Sequence, residues 1–172
     1  MKLSTRSRYG LKAMVDLAVA APRHAPLFEG GKAAQPPGGS RVAVGTPMPL
    51  SVLAQNQGIS EAYLEQLLRA LKQAGLVTAK RGVNGGYCIA RPPESISVED
   101  VLRALEGSTA VADCVSRRGE GCASACTCSA RPLFLKLQSQ ITAVLESTTI
   151  QDLANEHKEQ KERIHHAKKR LS

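Results

Sequence analysis

Four of the five cysteines, Cys114, Cys122, Cys126 and Cys128, fall within fifteen residues of a stretch otherwise rich in glycine, serine and alanine. Thiols this dense, with no fixed scaffold between them, can converge on one metal centre. Sulfur ligands suit an iron-sulfur cluster, [2Fe-2S] or [4Fe-4S], or a zinc ion. A thiol-disulfide switch and plain reduced thiols in a loop are the other chemistries open to them. Cys88 stands apart between Tyr87 and Ile89, where a cysteine packs as a small hydrophobe, and it is not assigned to the cluster of thiols. His24, His157, His165 and His166 lie in polar or Pro/Gly-rich surroundings and read as solvated residues. Neither a catalytic nucleophile with its base nor a phosphate loop is evident, so the sequence does not read as an enzyme.

A second chemistry is carried by charge. The formal net charge is +8 over 172 residues. Residues 1–91 hold twelve Lys and Arg against four Asp and Glu, whereas residues 92–172 hold eleven of each. The whole positive excess therefore sits in the first half, the footprint expected of a domain that neutralises nucleic-acid phosphates, although a basic domain can also be merely soluble. No apolar stretch approaches the roughly 18 residues of a membrane span, and the start Met1-Lys2-Leu3-Ser4-Thr5-Arg6 has no apolar signal region. The expectation is a soluble, cytoplasmic chain with reduced thiols and no membrane contact.

The elements that must position these residues can be read from periodicity. Apolar residues recur at helical spacing over residues 6–21, with Ser4 and Thr5 as possible caps. From Pro22 to Pro49 the pattern dissolves into prolines and glycines, which reads as a flexible insertion. A short helix spans about Leu50–Gln57 and stops at Gly58. Ser60 then caps a helix over residues 60–73 striped by Tyr63, Leu64, Leu67, Leu68 and Leu71. Alternation after Gly75 and again at Tyr87-Cys88-Ile89-Ala90, around Arg81-Gly82-Val83-Asn84-Gly85-Gly86, gives a two-stranded β wing.

Ser97 and Asp100 form a capping box for a helix over residues 97–106. A long helix starts at Pro132 and carries Leu133, Leu137, Ile141, Val144 and Leu145. From about Gln151 a charged stretch reads as a solvated helix or a fraying tail. The fold class expected is mainly α with a small β wing. Residues 1–91 form a winged helix-turn-helix interrupted at 22–49, residues 92–129 a connecting helix and cysteine loop, 130–150 a long helix in need of a partner, and 151–172 the charged tail.

In a helix-turn-helix the second helix enters the major groove by its N-terminal end. That makes Ser60, Glu61, Ala62, Glu65 and Gln66, together with Tyr63, candidate DNA contacts. A glutamate can accept from a cytosine amino group and a glutamine can pair with adenine, although Glu65 is also spaced to pair with Arg69 one turn on. Arg81, beside Lys80 and flanked by glycines, is placed to enter a minor groove or touch phosphate. Arg8, with Arg6 and Lys12, would add phosphate contacts that position without specifying.

These residues also carry a family likeness. Arg8-Tyr9-Gly10, Ala13-Met14-Val15-Asp16-Leu17-Ala18, Gly58-Ile59-Ser60 with Tyr63-Leu64-Glu65-Gln66-Leu67, Gly75-Leu76-Val77, and Arg81-Gly82 with Gly85-Gly86-Tyr87 resemble the winged-helix family of iron-sulfur regulators that includes IscR, NsrR and CymR. The likeness runs to about residue 155 apart from the Pro/Gly-rich insertion. It implies a DNA-binding transcription regulator, a homodimer held by the long helix, and the roles given above to Glu65, Gln66 and Arg81. Cys114, Cys122 and Cys128 resemble the three-cysteine signature of the family's cluster-binding members. Where the iron-sulfur assembly regulator carries a histidine three residues past the last cysteine, this chain has Arg131, which cannot ligate iron. Cys126 is the nearest candidate for the fourth ligand, and a side chain from elsewhere or from the partner subunit is its rival. The function implied is control of operator binding by a cluster, for cluster biogenesis or an iron, sulfur, redox or nitric oxide response. A cluster-free regulator of the same family, controlled by thiol redox or by docking a metabolic enzyme, is the alternative.

Overall fold

A computed structural model of the chain describes residues 4–21, 44–116, 124 and 127–170. Six helices and one small antiparallel sheet follow in the order α1 (Thr5–Ala20), β1 (Val44–Met48), α2 (Leu50–Gln57), α3 (Glu61–Gln73), β2 (Val77–Lys80), β3 (Gly86–Ile89), α4 (Val98–Glu106), α5 (Arg131–Ser147) and α6 (Ile150–Arg170). Short 3-10 turns stand at Pro93–Ser95 and Asp113–Val115. The fold is mainly helical, as the patterning predicts.

The core forms where the helical stripes meet. Ala13, Met14, Leu17 and Ala18 of α1, Leu53 of α2, Leu64, Leu67, Leu68 and Leu71 of α3, and Val101 and Leu105 of α4 are all buried together. Residue type and cap agree at the starts of α1, α3 and α4. Ser4 accepts from the Ser7 amide and Ser60 from the Tyr63 amide, and α4 has the full Ser97–Asp100 capping box. α2 ends on Gly58 in the left-handed conformation, φ 64°, which glycine adopts at no steric cost. Ile59 follows as the chain turns into α3.

Two sequence expectations need correction. The sheet has three strands, ordered β1-β3-β2, rather than two. Val44–Met48, inside the stretch read as insertion, is a strand paired with β3. Pro47 obscured it, because proline lacks an N–H and weakens any strand reading. β1 is an edge strand, bonded on one side only, and its register shifts between Val44 and Met48, which is where a sheet tolerates proline. Residues 22–43 of that expected insertion lie outside the described residues. The residues on either side of them are close together: a Cβ on Gly45 would stand 2.8 Å from the Ala21 Cα, so the chain leaves α1 and re-enters the fold at nearly the same point.

The second correction concerns the charged stretch after Gln151. It is a helix, one of the two forms expected, but its first turns are not solvated: Ile150 and Ala154 are fully buried in the same cluster as α1. Apolar residues there are few but spaced three and four apart, enough to dock one end of a helix. Thr149 and Asp152 cap it reciprocally: the Thr149 amide and hydroxyl donate to Asp152 Oδ2 at 2.9 and 2.7 Å, and the Asp152 amide donates to Thr149 at 3.1 Å. These bonds to the ionised form hold the Asp152 carboxyl below its usual range. Backbone bonds from Val98 to Thr148 and from Ile150 to Ile96, both 2.9 Å, stitch the α5–α6 junction to the entry of α4. From Glu159 onward the described side chains are exposed.

Gly86 marks the closest backbone approach in the sheet, at φ 154°, with a hypothetical Cβ 2.4 Å from the Met48 carbonyl oxygen. Gly86→Ala must therefore separate β1 from β3 or strain the chain. We expect a loss of roughly 1–3 kcal/mol, read as a fall of several degrees in Tm. An unchanged Tm contradicts this packing.

Candidate nucleic-acid interface and cysteine loop

α3 divides its residues sharply. Leu64, Leu67, Leu68 and Leu71 are at most 1% exposed, while Glu61, Ala62, Glu65, Gln66 and Arg69 are exposed. The predicted candidates Glu65 and Gln66 thus share the outward face. Ser60 is engaged as the cap, accepting from the Tyr63 N–H at 3.3 Å, which leaves its own O–H free to donate. Tyr63 is half-buried and stacks edge-on against Tyr9 of α1, ring centres 6.3 Å apart. Lys12 lies over the Tyr9 ring at 5.8 Å. This aromatic contact brings the exposed cations Arg8 and Lys12 of α1 beside the start of α3.

Glu65 and Arg69 form no ion pair among the described residues. Both instead act on Tyr87 of β3, whose hydroxyl is pushed up first by burial, then by the negative charge of Glu65, with Arg69 opposing. The outward face of α3 and the wing strand therefore share one electrostatic neighbourhood. Arg69 is the residue that spacing alone undervalued: its position invites an i, i+4 pairing, and only the three-dimensional arrangement shows a cation left exposed on the outward face of α3.

Lys80 ends β2 and Arg81 follows it, both exposed. The Gly85 amide donates to the Gly82 carbonyl at 2.9 Å and Gly82 has φ 111°, so Gly82–Gly85 closes a tight turn. A Cβ on Gly85 would stand 2.5 Å from the Lys80 carbonyl oxygen. The glycines thus make a narrow tip that projects Arg81 clear of the fold.

The interface is braced from behind. Asp16 of α1 accepts from Asn56 at 3.2 Å and Gln57 at 2.7 Å, fixing α1 to the end of α2. The hydroxyls of Ser4 and Ser7 both donate to Glu106 Oε1, fixing the start of α1 to the end of α4. Those two bonds, Ser4 first, hold the Glu106 carboxyl below its usual range.

The cysteine loop joins α4 to α5. Cys114 lies in the 3-10 turn Asp113–Val115, and Cys128 sits just before α5, its carbonyl accepting from the Arg131 amide at 3.3 Å. Both are free thiols and partly exposed. Cys122 and Cys126 lie outside the described residues, and among the described residues no three His, Cys, Asp or Glu side chains form a metal-binding group. Cys88 is 1% exposed, and burial raises its thiol pKa while Lys80 opposes, as suits a core residue. Arg131 is half-buried with its Nε lacking a hydrogen-bond partner.

A helix-turn-helix whose second helix turns a polar face outward beside a cationic glycine wing defines a DNA-binding regulator. The chain belongs to the Rrf2 family, described as iron-dependent transcriptional regulators, whose model matches residues 41–156. It is 34% identical over 155 residues to the HTH-type transcriptional regulator CymR of Bacillus subtilis, covering 90% of this chain and 91% of that one. It is also 34% identical over 153 residues to the HTH-type transcriptional regulator IscR of Aliivibrio salmonicida, covering 89% and 77%. The solved structure of B. subtilis CymR, titled as the global cysteine regulator, superposes with a TM-score of 0.65 at 32% identity, covering 90% of this chain and 97% of that one. The structure of T. potens IscR gives 0.63 at 32%, covering 91% and 88%. The chain is a transcriptional regulator and not an enzyme, and no helix among the described residues is long and apolar enough to cross a membrane.

The Glu106 bonds make stability depend on pH. Its folded pKa is lower than its unfolded one, so their contribution is present above the ordinary carboxylate range and is lost as pH falls through the depressed value. Glu106→Gln should flatten the acid side of the Tm–pH curve, and identical curves for both proteins would refute the bond.

At the wing, Arg81→Ala should weaken operator binding by about 1–3 kcal/mol if it reads a groove, or lower the salt slope by about one if it touches phosphate. Wild-type affinity at every salt concentration would exclude both.

Proposed function

We propose that this regulator binds double-stranded operator DNA as a homodimer in the cytoplasm, through Arg8, Ser60, Tyr63, Glu65, Gln66, Lys80 and Arg81. We also propose that an iron-sulfur cluster held by Cys114, Cys122 and Cys128 controls that binding. Glu65 and Gln66 carry base preference, Arg81 enters the minor groove, and Arg8 and Lys80 touch phosphate. The signal is cluster demand or a related iron, sulfur, redox or nitric oxide response.

The observation that carries the cluster is the placing of Cys114 and Cys128. They are free and partly exposed thiols at the two margins of one loop, with Cys122 between them in sequence. A donor set of soft thiolates at that spacing fits an iron-sulfur group. When bound, such a group supplies a redox-active, ligand-reactive iron centre and ties the loop to itself. Arg131 offers no lone pair, so the fourth position falls to Cys126 or to a group beyond this loop. The iron dependence for which the family is described supports the same reading.

The homodimer rests on α5. Leu133, Leu137 and Val144, spaced to share one helix face, are 57%, 43% and 62% exposed, while Phe134, Ile141 and Leu145 are half-buried. An apolar face this exposed on a long helix calls for an equal face opposite it. Leu137→Glu with Val144→Glu should shift the protein to monomer by sedimentation, and a dimer that persists contradicts the assignment.

A second reading is favoured by the likeness to CymR, titled a cysteine regulator: control without a cluster, by thiol redox or by docking a metabolic enzyme. Anaerobic purification with iron and sulfide analysis separates the two. We expect a coloured protein with matched iron and sulfide, and a Cys128→Ala variant that is colourless yet dimeric. A colourless wild type without iron favours the second reading, and a Cys128→Ala variant with full iron and sulfide overturns the ligand set.

A further inference from the structure

α6 carries its charge unevenly. Residues 150–160 hold Asp152, Glu156 and Glu159 against Lys158, whereas residues 161–170 hold Lys161, Arg163, Lys168, Lys169 and Arg170 against Glu162. The acidic part is the part that docks: Ile150 and Ala154 lie in the core, and Asp152 is engaged in the cap. The basic part leans on nothing, its described side chains all being exposed. Among the described residues, the one ion pair it makes is Arg163 to Glu159 at 3.6 Å, both well exposed, and such a pair holds its members weakly. Cations near a helix C-terminus favour the macrodipole, but that effect is confined to the last turn and leaves Lys161 and Arg163, more than a turn earlier, unexplained.

The place where this helix leaves the fold supplies the second observation. A groove of about 470 Å³ is lined by Lys12 and Asp16 of α1, Asn56 and Gln57 of α2, and Gln160 and Lys161 of α6. Asn56 and Gln57 are the last residues before the turn at Gly58, and Ser60 caps α3 just beyond it. α6 therefore departs beside the turn of the helix-turn-helix. From Lys161 it continues to Arg170, about 13 Å further at the rise of an α-helix. In such a motif the first helix crosses the DNA backbone while the second enters the groove, so a segment leaving beside the end of α2 runs near phosphates. Arg8 and Lys12 stand one turn apart on α1, both exposed, and Lys12 shares the groove with Lys161. The three form a cationic track from the reading domain onto the free end of α6.

We propose that the basic end of α6, residues 161–170, lies against the phosphate backbone of the same DNA duplex that α3 and the wing read. The proposal rests on the DNA-binding reading above and extends its contact surface to α6. Lysine and arginine on an exposed helix neutralise phosphates without selecting bases, so these contacts add affinity and fix position but carry no sequence preference. The partner is DNA rather than an acidic protein because the track is continuous with the cations of α1 and leaves the fold on the side of the helix-turn-helix. Counted over residues 92–172 this positive charge disappears, since the eleven acids of that half cancel it; only its segregation along one helix reveals it.

The test compares the full-length protein with a variant carrying Lys161→Gln, Arg163→Gln and Lys169→Gln, all exposed and clear of the core, on operator and random duplex DNA over a range of salt concentrations. The variant is expected to lower the steepness of log K against log salt by about two to three, roughly 0.9 for each phosphate contact removed, and to weaken binding to both DNAs by the same factor. Hydroxyl-radical footprinting at saturating protein should show backbone positions that the wild type protects and the variant leaves open, with the pattern of base methylation unchanged. Lys161→Arg with Lys169→Arg keeps the charge and should retain the wild-type slope and footprint. An unchanged slope in the glutamine variant overturns the proposal. So does a reduced slope with an unchanged footprint, since charge removed at a distance from the DNA does the same, and so does loss of the slope in the arginine variant, which assigns the effect to helix packing. A wild type that gives no footprint on any DNA overturns instead the DNA-binding reading, and the proposal with it.

Discussion

The burial of four leucines on one side of α3 is the constraint on which the rest of the structure depends. Leu64, Leu67, Leu68 and Leu71 are essentially inaccessible, and each is worth about 1.5–3 kcal/mol when removed from water. A helix held so firmly along one stripe cannot rotate without exposing it. The direction in which Glu65, Gln66 and Arg69 point is therefore set by residues that touch no ligand. α1, α2 and α4 supply the surfaces against which those leucines pack, and the sheet follows directly from the end of α3 through Leu76 and Val77, which join the same core.

α4 also stands between the reading face and the cysteine loop. At its end Glu106 holds Ser4 and Ser7 at the start of α1, whose Tyr9 packs on Tyr63 of α3. Two turns earlier on the same face Glu99 holds Thr109, and Gln138 of α5 holds Val111, so the segment leading to Cys114 is bonded to both helices. A change of state at the cysteines has a contiguous path of hydrogen bonds and packed rings toward α3. The stitching of the α5–α6 junction to Ile96 and Val98 adds a second link between the long helix and the DNA-reading domain.

Much of this was legible in the sequence, for identifiable reasons. α3 and α4 begin where their caps and apolar periods place them, and α2 ends on its glycine, because local capping and burial agree there. β1 was not legible: Pro47 breaks the strand pattern, and its pairing with β3 depends on partners some forty residues away in the chain. The docking of α6 rests on Ile150, Leu153 and Ala154 in a charged sequence, a signal too short to outweigh composition. On the reading face, Glu65 and Gln66 follow from the stripe they avoid. The shared neighbourhood of Glu65, Arg69 and Tyr87 needed the wing folded against α3. The burial of Glu99 was invisible beforehand, since nothing in the pattern of α4 distinguishes that glutamate from a solvated one.

The central claim is that the state of the cysteine loop governs what α3 and the wing bind. The most direct measurement is an anaerobic titration of operator and random DNA with one preparation of the protein, before and after removal of its iron by chelation. The account predicts that affinity for operator, or its ratio to affinity for random DNA, changes with iron content while the dimer persists. Superimposable curves for the two forms, from protein shown to have held iron and sulfide beforehand, would contradict it.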